Sequence, residues 1–287
     1  MIHERLRLAV PNKGRLIEPT LALLHGAGLV FDEHDRSLVA RVQNVALDIL
    51  FVRAADVAEF VTDGVADLGI TGADLLAETE SPLLITRALG YGRCRLAVAV
   101  PLNSAVERTE ELAGLRVATA HPHVARSFFA RRNIAISVIP LSGAVEVAPR
   151  LGLAEAIVDL VSTGSTLAMN GLRPIEDVLE SEAVLVSSPS IDAGRAAEIH
   201  TLDTMIGAVL AARDRKYVMM NAPAERLPQL EALLPGLESP SVIPLAHNGM
   251  IAIHSVVGAD DIWALLPRLK SAGASGILVL PIEKIVP

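Results

Sequence analysis

Strand-length aliphatic runs alternate with helix-period patterns along almost all of this 287-residue chain, which predicts βαβ units around parallel sheets. Leu6–Val10 reads as a strand. A turn at Pro11-Asn12-Lys13-Gly14 follows, then a helix face of Ile17, Leu21 and Leu24 that stops at Gly26 and Gly28. Leu47–Val52 and Asp67–Thr71 read as strands flanking a helix over Ala54–Thr62. The rhythm resumes with strands at Leu115–Thr119, Ile134–Ile139 and Ala156–Val161, and helices after Pro122 and over Ala144–Arg150. Hydrophobic residues make up 51% but aromatics only 3%, so the core must be built from Ala, Val, Ile and Leu. That composition suits parallel strands covered on both faces.

Asp192–Arg213 reads as one long helix, after which the order changes. Lys216–Met220 is a strand, Pro223–Leu234 a helix, Ser241–Leu245 and Met250–Val256 two strands, Ala259–Lys270 a helix and Gly276–Pro281 a final strand. This β-α-β-β-α-β order is that of a ferredoxin-like unit and puts a domain boundary near Arg213.

The net charge of −8 gives no long-range attraction to nucleic acid or anionic lipid, so neither is expected as a partner. Apolar stretches are too short to span a membrane, and the residues after Met1 show no export signal. The single cysteine, Cys94, precludes an intrachain disulfide and fits a cytoplasmic location.

The segment most suggestive of chemistry is Glu155-Ala156-Ile157-Val158-Asp159-Leu160-Val161-Ser162-Thr163-Gly164-Ser165-Thr166, a buried strand that runs into a hydroxyl-lined loop and a short helix. Unpaired N–H groups at a helix start, a glycine and four hydroxyls make a seat for a phosphate monoester. The absence of a lysine sets it apart from a nucleotide-triphosphate loop. Strand alternation puts Glu155 and Asp159 on one face, where acceptor-only groups can take the two hydroxyls of a ribose 5-phosphate. The alternative is a simple helix cap, since Ser-Thr-Gly-Ser also caps well.

This segment resembles the phosphoribosyl pyrophosphate (PRPP) motif of the ATP phosphoribosyltransferases. Further similarity to that family runs along the chain in Lys13-Gly14-Arg15-Leu16, Asp67-Leu68-Gly69-Ile70-Thr71-Gly72-Ala73-Asp74, Gly143–Pro149, Gly236-Leu237-Glu238-Ser239-Pro240 and Ile277–Glu283. The last two segments are similar to the long form, which adds a histidine-sensing domain. The resemblance implies a bilobal, periplasmic-binding-protein-like α/β catalytic part, with one lobe from 1–95 and 184–212 and the other from 96–183. A ferredoxin-like (ACT-like) regulatory domain would follow over 213–287.

It also implies transfer of the 5-phosphoribosyl group from PRPP to N1 of ATP with release of pyrophosphate, the first step of histidine biosynthesis. Mg²⁺ would be carried by the substrate phosphates, not by protein ligands. In these terms Ser162, Thr163, Gly164, Ser165 and Thr166 hold the 5-phosphate, and Glu155 and Asp159 the ribose hydroxyls. Lys13, Arg15, Arg53 and Arg95 meet the charged tails of ATP and pyrophosphate, and Asp74 accepts from adenine or the ATP ribose. Ala54 and Ala55 stand where some members carry a basic residue. Asn221, Leu237, Ser239 and Ser241 match the histidine-inhibitor region, and a homo-oligomer, dimer to hexamer, is expected.

His121-Pro122-His123 supplies too few ligands for zinc and reads as a strand-to-helix loop near the cleft. Gly90-Tyr91-Gly92 lacks the third glycine of a dinucleotide fingerprint. Two competing readings are prephenate dehydratase, which needs no phosphate seat and whose Thr-Arg-Phe signature is missing, and an exported small-anion binding protein.

Overall fold

The computed structural model describes residues 5–32, 38–162, 164–190, 193–234 and 239–286. The chain forms two compact units, Met1–Ala22 with Leu29–His200 and Leu23–Gly28 with Thr201–Pro287, the second division falling inside helix α6 (Ala193–Ala212).

The first unit holds two sheets. In one, β1 (Leu6–Pro11), β3 (Leu47–Val52) and β4 (Leu68–Gly72) run parallel. The short β2 (Val39–Arg41) lies antiparallel at one edge, and β11 (Ala183–Ser187) and β5 (Leu84–Ala88) at the other, in the order β2-β3-β1-β4-β11-β5. Helices α1 (Ile17–Gly26), α2 (Val57–Thr62) and α3 (Ala73–Glu78) make the connections. Leu8, Ala9 and Val10 on β1 are fully buried, as a central strand covered on both faces requires.

The second sheet has the order β10-β6-β9-β7-β8. Its parallel strands are β7 (Arg116–Thr119), β8 (Ser137–Pro140) and β9 (Ala156–Val161). Strand β6 (Cys94–Pro101) is antiparallel to β9, and β10 (Leu172–Ser181) is antiparallel to β6 at the edge. Helix α4 (Pro122–Arg131) buries Val124, Ala125, Phe128 and Phe129 against this sheet, the two phenyl rings meeting edge to face at 5.2 Å. That spacing puts all four residues on one helix face, and burial of the pair contributes several kcal/mol, about 1.5–3 for each ring.

Two chain crossings join the sheets side by side, β5 to β6 and β10 to β11. Leu89 N donates to Ala183 O at 2.9 Å, Ala183 N to Tyr91 O at 2.9 Å, and Gly90 N to the Glu182 carboxylate at 2.9 Å. Two α/β lobes linked by a double crossing make the bilobal, periplasmic-binding-protein-like body expected from the resemblance.

The second unit carries β12 (Arg215–Pro223), α7 (Leu227–Glu231), β13 (Ser241–Pro244), β14 (Met250–Gly258), α8 (Ile262–Ser271) and β15 (Ser275–Pro281). The sheet is antiparallel in the order β13-β14-β12-β15, the ferredoxin-like arrangement. One face, with Val218, Met220, Ala222, Ile251 and Ile253, packs with helix residues Leu230, Leu265 and Leu269.

The expected helix Ala54–Thr62 starts only at Val57 and Ala259–Lys270 only at Ile262, and two further helices are shorter than their patterns. Ala144–Arg150 contains a single 3₁₀ turn at Val145–Val147, because Ala144 is left-handed (φ 51°) and Pro149 breaks the pattern. Pro223–Leu234 yields a 3₁₀ turn at Ala224–Arg226 and then α7, with Pro228 in its first turn. Among the described residues no helix is long and apolar enough to cross a membrane.

Candidate functional site

The loops that leave the parallel strands at their carboxyl ends carry most of the expected site residues, as the crevice rule for open α/β sheets predicts. In the first lobe Lys13 and Arg15 follow β1, Arg53 follows β3 and Asp74 follows β4. In the second lobe His121 follows β7 and Ser162 follows β9. Arg95, on the antiparallel β6, pairs in register with Val161 at that same end. Lys13 and Arg53 are exposed. Arg95 Nε lies 2.9 Å from Asp177 Oδ1.

Asp74 is only 1% exposed. It is the second residue of α3, whose N-cap is Gly72, and a Cβ on Gly72 would collide with its carboxylate. Ser181 Oγ donates to Asp74 Oδ1 at 2.5 Å and accepts from the Asp74 backbone N at 2.9 Å. Arg15 Nη2 stands 3.5 Å from Oδ1 and His121 Nε2 3.4 Å from Oδ2, both longer than a good hydrogen bond. Burial pushes this carboxyl up, but the His121 and Ser181 side chains and the Arg15 charge outweigh it, leaving the pKa below the ordinary carboxylate value.

Asp159 is the opposite case. It lies on β9, and its Oδ1 accepts from its neighbour Leu160 N at 2.8 Å. Among the described residues no cation is paired with it. Burial raises its pKa first of all. The Leu160 N–H works against that, the Glu146 charge adds to it, and the more distant His121 lowers it.

Glu155 does not join it. The residue precedes β9 and so stands at the amino end of the strand, about 13 Å from Asp159 at ~3.3 Å per residue. Its carboxylate forks onto Arg116, accepting from Nη2 at 2.5 Å, from Nε at 3.3 Å and from the backbone N at 2.8 Å. Those bonds hold its pKa below the ordinary value. Alternation predicts the shared face but not the distance, so the two carboxylates expected to act as a pair are not brought together.

In the loop after β9, Ser162, Ser165 and Thr166 are exposed; Thr163 lies outside the described residues. Helix α5 (Ser165–Met169) begins after Gly164, which is left-handed at φ 81° and makes no side-chain cap bond. A cavity of about 700 Å³ runs from Ala73 past Ser181 and Glu182 to Cys94, Arg95 and Ser162. It lies between the lobes next to the chain crossings.

In the second unit, Ser241 pairs with His254 and Asn221 with Ala252, so both project from the sheet face opposite the helices. On that face Tyr217 Oη is 2.9 Å from His254 Nδ1. Asn221, Ser239 and Ser241 are exposed, and Leu237 lies outside the described residues.

His121, Glu146 and Ser181 complete the first unit's site without having been singled out as functional. Glu146 falls inside the Gly143–Pro149 segment and His121 inside the His-Pro-His loop, so each carried a signal. Ser181, which is 107 residues from Asp74, carried none.

Comparison with known proteins gives one consistent picture. The family model described as ATP phosphoribosyltransferase matches residues 53–208, and that described as HisG, C-terminal domain, matches 212–284. The ATP phosphoribosyltransferase of Cytophaga hutchinsonii is 43% identical over 281 residues, covering 98% of each chain. That of Gemmatimonas aurantiaca is 44% identical over 292 residues, covering 98% of this chain and all of its own. Among solved structures, the ATP phosphoribosyl transferase (HisG:HisZ) complex from Thermotoga maritima superposes with a TM-score of 0.63 at 29% identity. It covers 70% of this chain and 96% of its own.

Proposed function

Since the chain belongs to the ATP phosphoribosyltransferase family, in its long form, a family of pentosyltransferases that act at the first step of histidine biosynthesis, we propose that it moves the 5-phosphoribosyl group of PRPP to N1 of ATP with release of pyrophosphate. The observation that carries the residue assignment is Asp159, a half-buried acid with no paired cation among the described residues, on the strand that feeds the hydroxyl loop.

Ser162, Thr163, Gly164, Ser165 and Thr166 wrap the 5-phosphate, and Asp159 accepts from the ribose hydroxyls. Glu155, held by Arg116, takes no part. Lys13, Arg15, Arg53 and Arg95 neutralise the triphosphate and pyrophosphate. Asp74, its oxygens already faced by Ser181, His121 and Arg15, acts by aiming Arg15, not by touching adenine. Attack at the anomeric carbon with pyrophosphate leaving needs no protein nucleophile, so these groups orient the reactants and stabilise charge.

No three His, Cys, Asp or Glu side chains converge as a metal cage among the described residues. We read Mg²⁺ as an ion that would take most of its ligands from phosphates and water and would supply charge neutralisation at the leaving group. We read the enzyme as cytoplasmic, with residues 1–95 and 184–212 forming one catalytic lobe, 96–183 the other and 213–287 a regulatory domain. Histidine would act through Asn221, Leu237, Ser239 and Ser241 in a dimer-to-hexamer assembly, by binding one of two states better than the other.

The test is pyrophosphate release with ATP, PRPP and Mg²⁺, repeated with histidine. Release is expected, and histidine should suppress it. No release would contradict the reaction, and release unaffected by histidine would contradict only the regulatory part.

A further inference from the structure

Helix α4 of the second lobe begins without a cap of its own. Its N-cap residue His121 makes no side-chain cap bond, and Pro122 has no N–H to offer. The first free donors, the backbone N–H groups of His123 and Val124, instead meet one carboxylate from the first lobe. They donate to Glu78 Oε1 at 2.9 Å and to Glu78 Oε2 at 3.0 Å. The cap is thus 45 residues away in sequence, at the end of α3.

Asp74 lies on that helix one turn earlier, and residues four apart share a helix face. One face of α3 therefore reaches α4 at two points, Glu78 on its backbone and Asp74 on the His121 ring at 3.4 Å. Glu80 adds an exposed rim contact, its Oε2 3.4 Å from His123 Nδ1. A Ser or Asp at the N-cap would stabilise α4 equally well without crossing between lobes. A carboxylate that crosses does something more: it ties the helix dipole of one lobe to the other and fixes how the two carboxyl edges face each other.

We propose that Glu78 is a positioning residue, resting on the reaction assigned above: it sets the lobe angle at which Asp159 and the hydroxyl loop face Arg15 and Asp74. It touches neither substrate. Its effect is on how much of the free enzyme has the two half-sites in register, which appears as a tax on the apparent affinity for ligands that bind both.

The test is steady-state kinetics of Glu78→Ala and Glu78→Gln beside the wild-type chain, with thermal unfolding of each. For Glu78→Ala we expect KM for ATP and for PRPP to rise together by about tenfold, with kcat within about threefold, because saturating substrates restore the angle. Glu78→Gln keeps one acceptor oxygen for the two N–H groups and should fall between. It also keeps the proposal testable if Glu78→Ala fails to fold. A lowered melting temperature with both KM values unchanged would make Glu78 a purely structural cap and overturn the proposal. Inactive wild-type chain would instead overturn the reaction itself, a different result from an active wild type with unaltered variants.

Discussion

Asp74, buried after the first lobe's β4, and Asp159, half-buried on the second lobe's β9, are two acids treated in opposite ways. In the first lobe, Asp74 is surrounded by a serine hydroxyl, a guanidinium and an imidazole, and its pKa falls. In the second, Asp159 has a neighbouring N–H and a nearby carboxylate, and its pKa rises. The difference separates two jobs. On the assignment proposed above, an acid with its donors already present holds other groups in place, whereas one that lacks them is kept for a ligand, at a cost to the folded state.

The largest effect is expected for Asp159→Asn. It should lower kcat/KM for PRPP by at least about a hundredfold, while the melting temperature stays level or rises, because a strained charge is removed. A variant that loses stability along with activity would mean that Asp159 has a structural partner. Asp74→Ala should do the reverse in balance. We expect a loss of about 1–3 kcal/mol in denaturant unfolding, since Ser181 and Arg15 lose their acceptor, with a smaller fall in activity through misaimed Arg15.

The pH dependence has opposite signs for the two acids. The folded pKa of Asp74 is depressed, so its stabilisation is present above the unfolded value near about 4 and is lost as pH falls through the folded value. The folded pKa of Asp159 is raised, so its relative stabilisation is present below about 4 and is lost as pH rises through the folded value. Melting curves from acid to neutral pH should therefore show the stability gap between wild type and Asp159→Asn opening upward. The gap between wild type and an Asp74 variant should close on acidification. Parallel curves would refute the assignment. The smallest effect is expected for Glu155→Gln, which breaks an exposed pair at the far end of β9 and should leave PRPP kinetics within about twofold of wild type.

Much of the fold was legible because its central strands are continuous aliphatic runs. Strands β3 and β9 fall on the residues their patterns predict, Leu47–Val52 and Ala156–Val161. Strand β10 was not legible, because it carries Pro174 and three acids at an edge and pairs with β6 through two irregularities. The basic and acidic residues after β1, β3 and β4 were named from the family resemblance, and the strands they follow were readable. Glu155 was misplaced because period-two alternation tells which face a side chain takes and nothing about its reach along the strand. The contacts of Ser181 and Glu78 depend on the two lobes meeting, which local periodicity does not encode.

Where the sugar phosphate of PRPP lies decides the assignment of Asp159 and the hydroxyl loop, and a crystal structure of the chain with PRPP bound answers that directly. The phosphate should lie among the hydroxyls of Ser162, Ser165 and Thr166, with the ribose 2′ and 3′ oxygens within hydrogen-bond reach of Asp159. A phosphate held elsewhere, with Asp159 unchanged and remote from the sugar, would contradict it.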